Sequence, residues 1–305
     1  MRTFMAVWLV GILLSAPAAA GALSDAARKG DVAEIARLLE AGADVNEPGS
    51  LALPLHFAAM AGHAEAVALL AAQGARLDAP SSLGTPLHAA ANFGHVEAVD
   101  ALIAAGADPD VRDRDGYPPL LRAIANNRVG AVTALIAGGA DVNSVTTAII
   151  RGEVRGLTIA LHEASFLGHD EIVSVLRAAG AGPIPPDVPA DLGALGDPMR
   201  GRELAVANCR GCHTISPEDE PTKDHYSFGR AIPLIGVVGR PVAGLPDFEY
   251  SAGLIEYSGT WTPERLYAYA LSPTLTVPGT RMQWTSDHKP EMIAHIVAYF
   301  VSEAE

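Results

Sequence analysis

Five stretches of this 305-residue chain repeat one pattern, and that repetition restricts the fold more than any other feature. They read GDVAEIARLLEAGADVN from Gly30, GHAEAVALLAAQGARLD from Gly62, GHVEAVDALIAAGADPD from Gly94, NRVGAVTALIAGGADVN from Asn127 and GHDEIVSVLRAAGAG from Gly168. Their starts lie 32, 32, 33 and 41 residues apart. A period in this range marks a small unit that cannot bury its apolar face alone and must stack on copies of itself. Ahead of the later four come LPLHFAAMAGH, TPLHAAANFGH, PPLLRAIANNR and TIALHEASFLGH. Each unit reads as two helices. Thr85 is placed to cap the first, and Pro86 takes the first helical position, where a missing N–H costs nothing. Gly94 stops that helix, Val96, Val99, Leu102 and Ile103 fall on one face of the second, and Gly106 ends it.

The T-P-L-H signature and the period resemble ankyrin repeats, over roughly residues 22 to 182. The resemblance implies an N-terminal solenoid of five repeats, residues 21–182, whose concave face binds a protein partner. It also implies that His56, His88 and His162 hydrogen-bond between neighbouring repeats. Lone repeated histidines lack the clustered partners of a metal site. The first unit begins ALSDAARKG without T-P-L-H, and Ser24 or Asp25 is its expected cap. A more polar end unit is what a solenoid terminus requires. The 41-residue interval holds about eight extra residues within SVTTAIIRGEVRG, residues 144–156, at the projecting finger of such stacks. Either this is a tolerated surface insertion or it touches a partner or the second domain.

Residues 1–20 read as a secretory signal: Arg2, an apolar run from Phe4 to Leu14, then small residues permitting cleavage after Ala20 or Ala22. The run is shorter than the roughly 18 residues a membrane span needs, so the mature chain is expected to be exported, to the periplasm, with no span. Residues 183–196 form a linker stiffened by Pro183, Pro185, Pro186 and Pro189. A formal charge of −14 excludes a nucleic-acid surface, which needs clustered positive charge.

The only two cysteines, Cys209 and Cys212, stand in NCRGCHTI with His213 directly after. C-x-x-C-H is the attachment pattern of a c-type haem. Two thiols at this spacing add to the two vinyl groups of one porphyrin, and the adjacent imidazole reaches the iron. The pattern also admits weaker readings. A structural zinc takes four ligands, often two cysteine pairs, and one pair is present. A redox dithiol sits in a βαβ setting, and no such strand pattern surrounds these residues.

Residues 197–305 resemble the class I c-type cytochromes across nearly their whole length. LIGVVGR, FEYS, Trp261, Tyr269 and PGTRM follow in the family's order, and EMIAHIVAYFVSEAE closes the chain as a helix. The expected fold is therefore mainly α: an ankyrin solenoid plus an all-α cytochrome c domain whose first helix crosses its last at Gly201. The resemblance implies one haem c, covalent through Cys209 and Cys212, with His213 and Met282 as iron ligands. It places Arg240, Tyr250 and Trp261 at the propionates, Tyr269 and Thr280 beside the methionine, and Trp284 at the exposed edge. Rival distal ligands are His288, Met199, Met292, His225 and His295. In place of the family's proline carbonyl, Ile232 is expected to accept from the proximal imidazole. Ala205 stands where an aromatic commonly packs between the end helices, with Tyr299 or Phe300 available to fill the space.

An iron with both axial positions filled offers no open site, and a thioether ligand raises its potential. The implied activity is one-electron transfer rather than enzyme chemistry, with periplasmic or membrane-bound redox proteins as donor and acceptor. A haem-based redox or gas sensor signalling through the repeats stays open, as does weak peroxidase-like activity. Residues 191–305 hold nine Lys/Arg and fifteen Asp/Glu, so no lysine ring is available to steer partners.

Overall fold

The computed structural model describes residues 19–49, 52–150, 153–190, 192, 196–209, 213, 215, 233–234, 236–245, 250–280, 282 and 289–304. The chain divides into two compact units, one ending at Asp108 and the other starting at Pro109, with Ala91–Gly94 counted with the second. Helix is the dominant structure, as the repeat period and the closing amphipathic segment predict.

The first unit holds α1 (Ala19–Lys29), α2 (Val32–Glu40), α3 (Pro54–Ala61), α4 (Ala64–Ala72), α5 (Pro86–Phe93) and α6 (Val96–Ala104). Proline opens α3 and α5, since its fixed φ suits the first helical position. The buried residues Val67 and Leu70 of α4 and Ala98, Val99 and Leu102 of α6 give the core of this unit, while Val96 and Ile103 are only half-buried. Ser24 and Asp25 are not caps: α1 already starts at Ala19, so Ser24 is buried inside the helix and Asp25 pairs with Arg28.

Two polar ladders tie successive repeats. His56 Nε2 donates to Ala79 O at 2.9 Å, as the T-P-L-H reading implies. The last letter of each repeat makes the second ladder. Asn46 accepts from Arg76 N–H at 2.8 Å, and Asp78 accepts from Asp108 N–H at 3.2 Å. In the second unit, Asp110 accepts from Asp141 N–H at 3.0 Å and Asn143 from Gly182 N–H at 3.2 Å.

The second unit continues with α7 (Pro119–Ala125), α8 (Val129–Ala137), α9 (Ala160–Leu167) and α10 (Asp170–Ala178). Between α8 and α9 the insertion forms an antiparallel hairpin, β1 (Thr146–Ile150) with β2 (Glu153–Thr158), bulged between Ala148 and Ile149. Its β-branched residues favour the extended pleat. Arg112 fastens its base, donating to Thr146 Oγ1 at 2.6 Å and to Val145 O at 2.9 Å.

Then follow α11 (Pro198–Asn208), α12 (Ala252–Tyr257), α13 (Pro263–Leu271), α14 (Pro273–Thr276) and α15 (Pro290–Ser302). α11 and α15 cross at Gly201, where an added Cβ would lie 1.9 Å from His295 O and 2.9 Å from Tyr299 Cβ. Only a residue without a side chain lets the two backbones approach this closely. Ala205, Tyr299 and Phe300 share the adjoining core, so the aromatics of the last helix fill the space beside the small residue of the first. The proline-rich segment is not detached from this domain. Ile184 N–H donates to Leu275 O at 2.7 Å, Val188 packs against the domain's core, and Leu192 is part of it. Strand β2 lies against α14.

Candidate functional site

α11 positions the cysteine motif. Asp197 caps it, accepting from Met199 N–H at 2.9 Å, and Pro198 takes the first helical position. Cys209 sits at its C-terminal end, buried in the domain core. His213 N–H donates to Cys209 O at 2.8 Å, which places His213 beside Cys209. Cys212 lies outside the described residues, as do Ile232, His225, Trp284 and His288.

A second group forms around α13. Tyr269 and Thr280 share a hydrogen bond of 2.7 Å between their hydroxyls, and Thr280 Oγ1 accepts from Met282 N–H at 3.2 Å. Thr280 is fully buried, so its hydroxyl must find partners in the protein. Burial pushes the Tyr269 phenol up to about 12, against the opposing effect of the Thr280 hydrogen bond. The phenol therefore stays neutral across the physiological range.

A third group joins the loop after residue 233 to the turn before α13. Trp261 N–H donates to Arg240 O at 2.9 Å, and Gly239 N–H donates to Trp261 O at 2.8 Å. Arg240 turns its guanidinium onto the loop, donating to Pro233 O at 2.9 Å and Gly236 O at 3.3 Å. Burial lowers its pKa. Tyr250 accepts from Leu245 N–H at 2.9 Å. The Trp261 ring is 5.1 Å from that of Tyr269, linking this group to the methionine side.

One apolar cluster unites the three groups. Cys209, Trp261 and Tyr269 belong to it, and Tyr250 and Met282 pack against it half-buried. Among the rival sulfur and nitrogen donors, Met199 is 74% exposed and His295 Nδ1 accepts from Asp197 N–H at 2.8 Å as part of the helix crossing. Met292 packs against the cluster from α15.

Two supporting sets of contacts carried no signal in the sequence. Arg265 donates to Tyr257 O and Ser258 O at 2.6 Å each and lies 4.1 Å from the Tyr257 ring centre, which fixes the turn leading to Trp261. Tyr299 OH donates to Ile215 O at 3.2 Å, tying the last helix to the segment after the cysteine motif.

A helical solenoid followed by a small all-α domain with crossed end helices defines the class. Residues 23–113 and 80–146 match the model for ankyrin repeats (3 copies). The chain is similar to cytochrome c2 of Rhodopila globiformis, 36% identical over 104 residues, which is 34% of this chain and 91% of that one. It is 30% identical over 145 residues to a cytochrome c homolog of Rickettsia conorii, covering 48% of this chain and 73% of the relative. With the cytochrome c-type cyt cy of Rhodobacter capsulatus it shares 35% identity over 104 residues, spanning 34% of this chain and 48% of that protein's length. The chain belongs to the cytochrome c family, as a fusion of ankyrin repeats with a class I cytochrome c domain. Among the described residues no helix is long and apolar enough to cross a membrane.

Proposed function

We propose that this protein is an exported one-electron carrier with a single haem c, held covalently by Cys209 and Cys212 and ligated by His213 and Met282. The observation that carries this reading is the hydrogen-bonded chain Tyr269–Thr280–Met282, which steadies a methionine in an irregular loop against the cluster that buries Cys209. The donor set fits the group: two thiols, an imidazole and a thioether. When bound, the haem supplies an iron that gains or loses one electron. The protein's own residues do the rest. Thr280 fixes the backbone of Met282 through its N–H, and the neutral Tyr269 hydroxyl fixes Thr280. Arg240, Tyr250 and Trp261 stand at the positions expected to hydrogen-bond or cover the propionates.

The domain assignment that accompanies this reading is a cleaved leader over 1–20, repeats over 21–182, a linker over 183–196 and the cytochrome over 197–305. The location is the periplasm, and the repeats hold the carrier near a redox protein, donor or acceptor. The electron-transfer contact itself, made by the cytochrome face, is expected to be small and transient, below about 1,200 Å². Phe93 and Phe166, 43% and 46% exposed at the ends of first helices of repeats, are candidate contacts for that partner.

The test is spectroscopic. Protein matured in an export-competent host is expected to be red and to stay red after acid–acetone extraction. Met282→Ala is expected to lose the weak red band of a sulfur–iron bond, while His288→Ala keeps it. A colourless product, or a band that survives Met282→Ala, overturns the assignment. Photo-crosslinkers placed at Phe93 and Phe166 are expected to capture a redox protein in the periplasm, and capture of none refutes the tethering role.

A further inference from the structure

The histidine of the last repeat has left the role its sequence position implies. In TPLH the Thr85 hydroxyl lies 2.9 Å from His88 Nδ1. Where leucine replaces that threonine, at Leu53, His56 Nδ1 is buried with no hydrogen-bond partner. In the last repeat Ile159 stands at the same position, again without a hydroxyl. Here His162 Nδ1 accepts a hydrogen bond from Gly279 N–H at 3.1 Å, in a buried setting and across 117 residues of sequence. Burial lowers the His162 pKa to about 4, so the ring is neutral and Nδ1 keeps the lone pair this bond needs.

Gly279 belongs to the loop that carries Thr280 and Met282. Its φ is +81°, and an added Cβ would lie 2.8 Å from Ser165 Cβ on the same helix as His162. The repeat therefore grips the loop at the left-handed Gly279, immediately before the Tyr269–Thr280–Met282 chain. Nearby, α10 and α12 are joined by an ion pair between Arg177 and Glu256.

We propose that His162 is a positioning residue for the distal ligand: the last ankyrin repeat, by accepting from Gly279 N–H, holds the Met282 loop in its ligating conformation. This rests on the assignment of Met282 as an iron ligand under the proposed function. The ankyrin array is then part of the cytochrome's ligand shell and not merely an attached docking module.

The test uses the full-length haem-loaded protein. His162→Phe keeps the ring volume and removes the acceptor, and His162→Asn restores an acceptor near the Nδ1 position. Imidazole is titrated into the ferric protein to displace the thioether, read by the sulfur–iron band. The loss of one net hydrogen bond is expected to lower the imidazole concentration needed by roughly threefold to tenfold in His162→Phe, with recovery in His162→Asn. Equal titrations in wild type and His162→Phe, with the band intact in both, overturn the proposal and leave the haem assignment standing. Absence of the band in the wild type instead removes the ligand assignment. Amide exchange in the wild type is a second readout that needs no variant. Gly279 N–H is expected to be protected at least about tenfold, and exchange at the rate of an open loop overturns the proposal.

Discussion

Gly201→Ala is the substitution for which the structure gives the sharpest expectation. The new Cβ would sit 1.9 Å from His295 O, 2.6 Å from its carbonyl carbon and 2.9 Å from Tyr299 Cβ. Carbon–oxygen contacts in proteins settle at roughly 3.3 Å or more, so α11 and α15 must part by about 1.4 Å or slide. Two of the three atoms are backbone, and no rotamer change relieves them. A gap of 0.5–1 Å already forfeits roughly a quarter to a half of each dispersion well. The crossing packs Ala205, Tyr299 and Phe300, so the loss spreads beyond one contact. Overpacking of this kind costs about 1–3 kcal/mol, and the backbone clash puts this case at the upper end. Alanine's better helix propensity returns at most about 1 kcal/mol. The net expectation is destabilisation by about 2 kcal/mol, which lowers the melting temperature of a domain of this size by roughly 10 °C. Thermal unfolding followed by far-UV circular dichroism reads it, with Val206→Ala, exposed and on the same helix, as a control expected to stay within about 0.5 kcal/mol. An unchanged or raised melting temperature in Gly201→Ala refutes the reasoning that backbone approach, and not helix propensity, selects glycine here.

Three further expectations can be checked together. Acid should loosen the last repeat. Burial lowers the His162 pKa from 6.5 to about 4, so its contribution is full above about pH 6.5 and fades as pH falls towards 4, the loss amounting to about 2 kcal/mol by pH 5. His56, lowered by burial, acts in the same direction, while Glu163, raised by burial, opposes them as the pH falls further; urea unfolding that is flat between pH 7 and 5 in wild type counts against this. Tyr269→Phe leaves the buried Thr280 hydroxyl without its 2.7 Å partner and is expected to cost about 1–2 kcal/mol, measured by urea denaturation, with no loss counting against a role for that bond. Because β2 lies against α14, amide protection over 145–155 is expected to weaken when α14 is disrupted by Leu275→Ala, and unchanged exchange there would mean that the hairpin stands by itself.

The repeat helices were legible because their signals are local. α5 begins at Pro86 and stops one residue before Gly94, and the residue closing each repeat is the one that hydrogen-bonds to the next. The Gly201 crossing was expected from the resemblance to class I cytochromes, and its physical reason, the close approach of two backbones, is a matter of three-dimensional packing. Other features depended on partners far away in sequence. Nothing near His162 announces Gly279; at most, Ile159 in place of threonine shows that Nδ1 lacks its usual local partner. The start of α1 was missed because Ser24 and Asp25 make good caps, yet tertiary burial of Leu23 and Ala26 draws the helix further back to Ala19. Arg240 was expected to point at propionates. Its guanidinium donates to Pro233 O and Gly236 O, a loop geometry no local pattern encodes.

The proline-rich stretch after the last repeat has a consequence for how the protein moves. With Ile184 bonded to Leu275 and Leu192 seated in the cytochrome core, it works as a mortise joint and not as a leash. A carrier on a leash sweeps a volume and meets its reaction partners by search. On the proposed function, a jointed one presents its redox edge at a bearing inherited from the final repeat, so a partner grasping that repeat would also aim the electron.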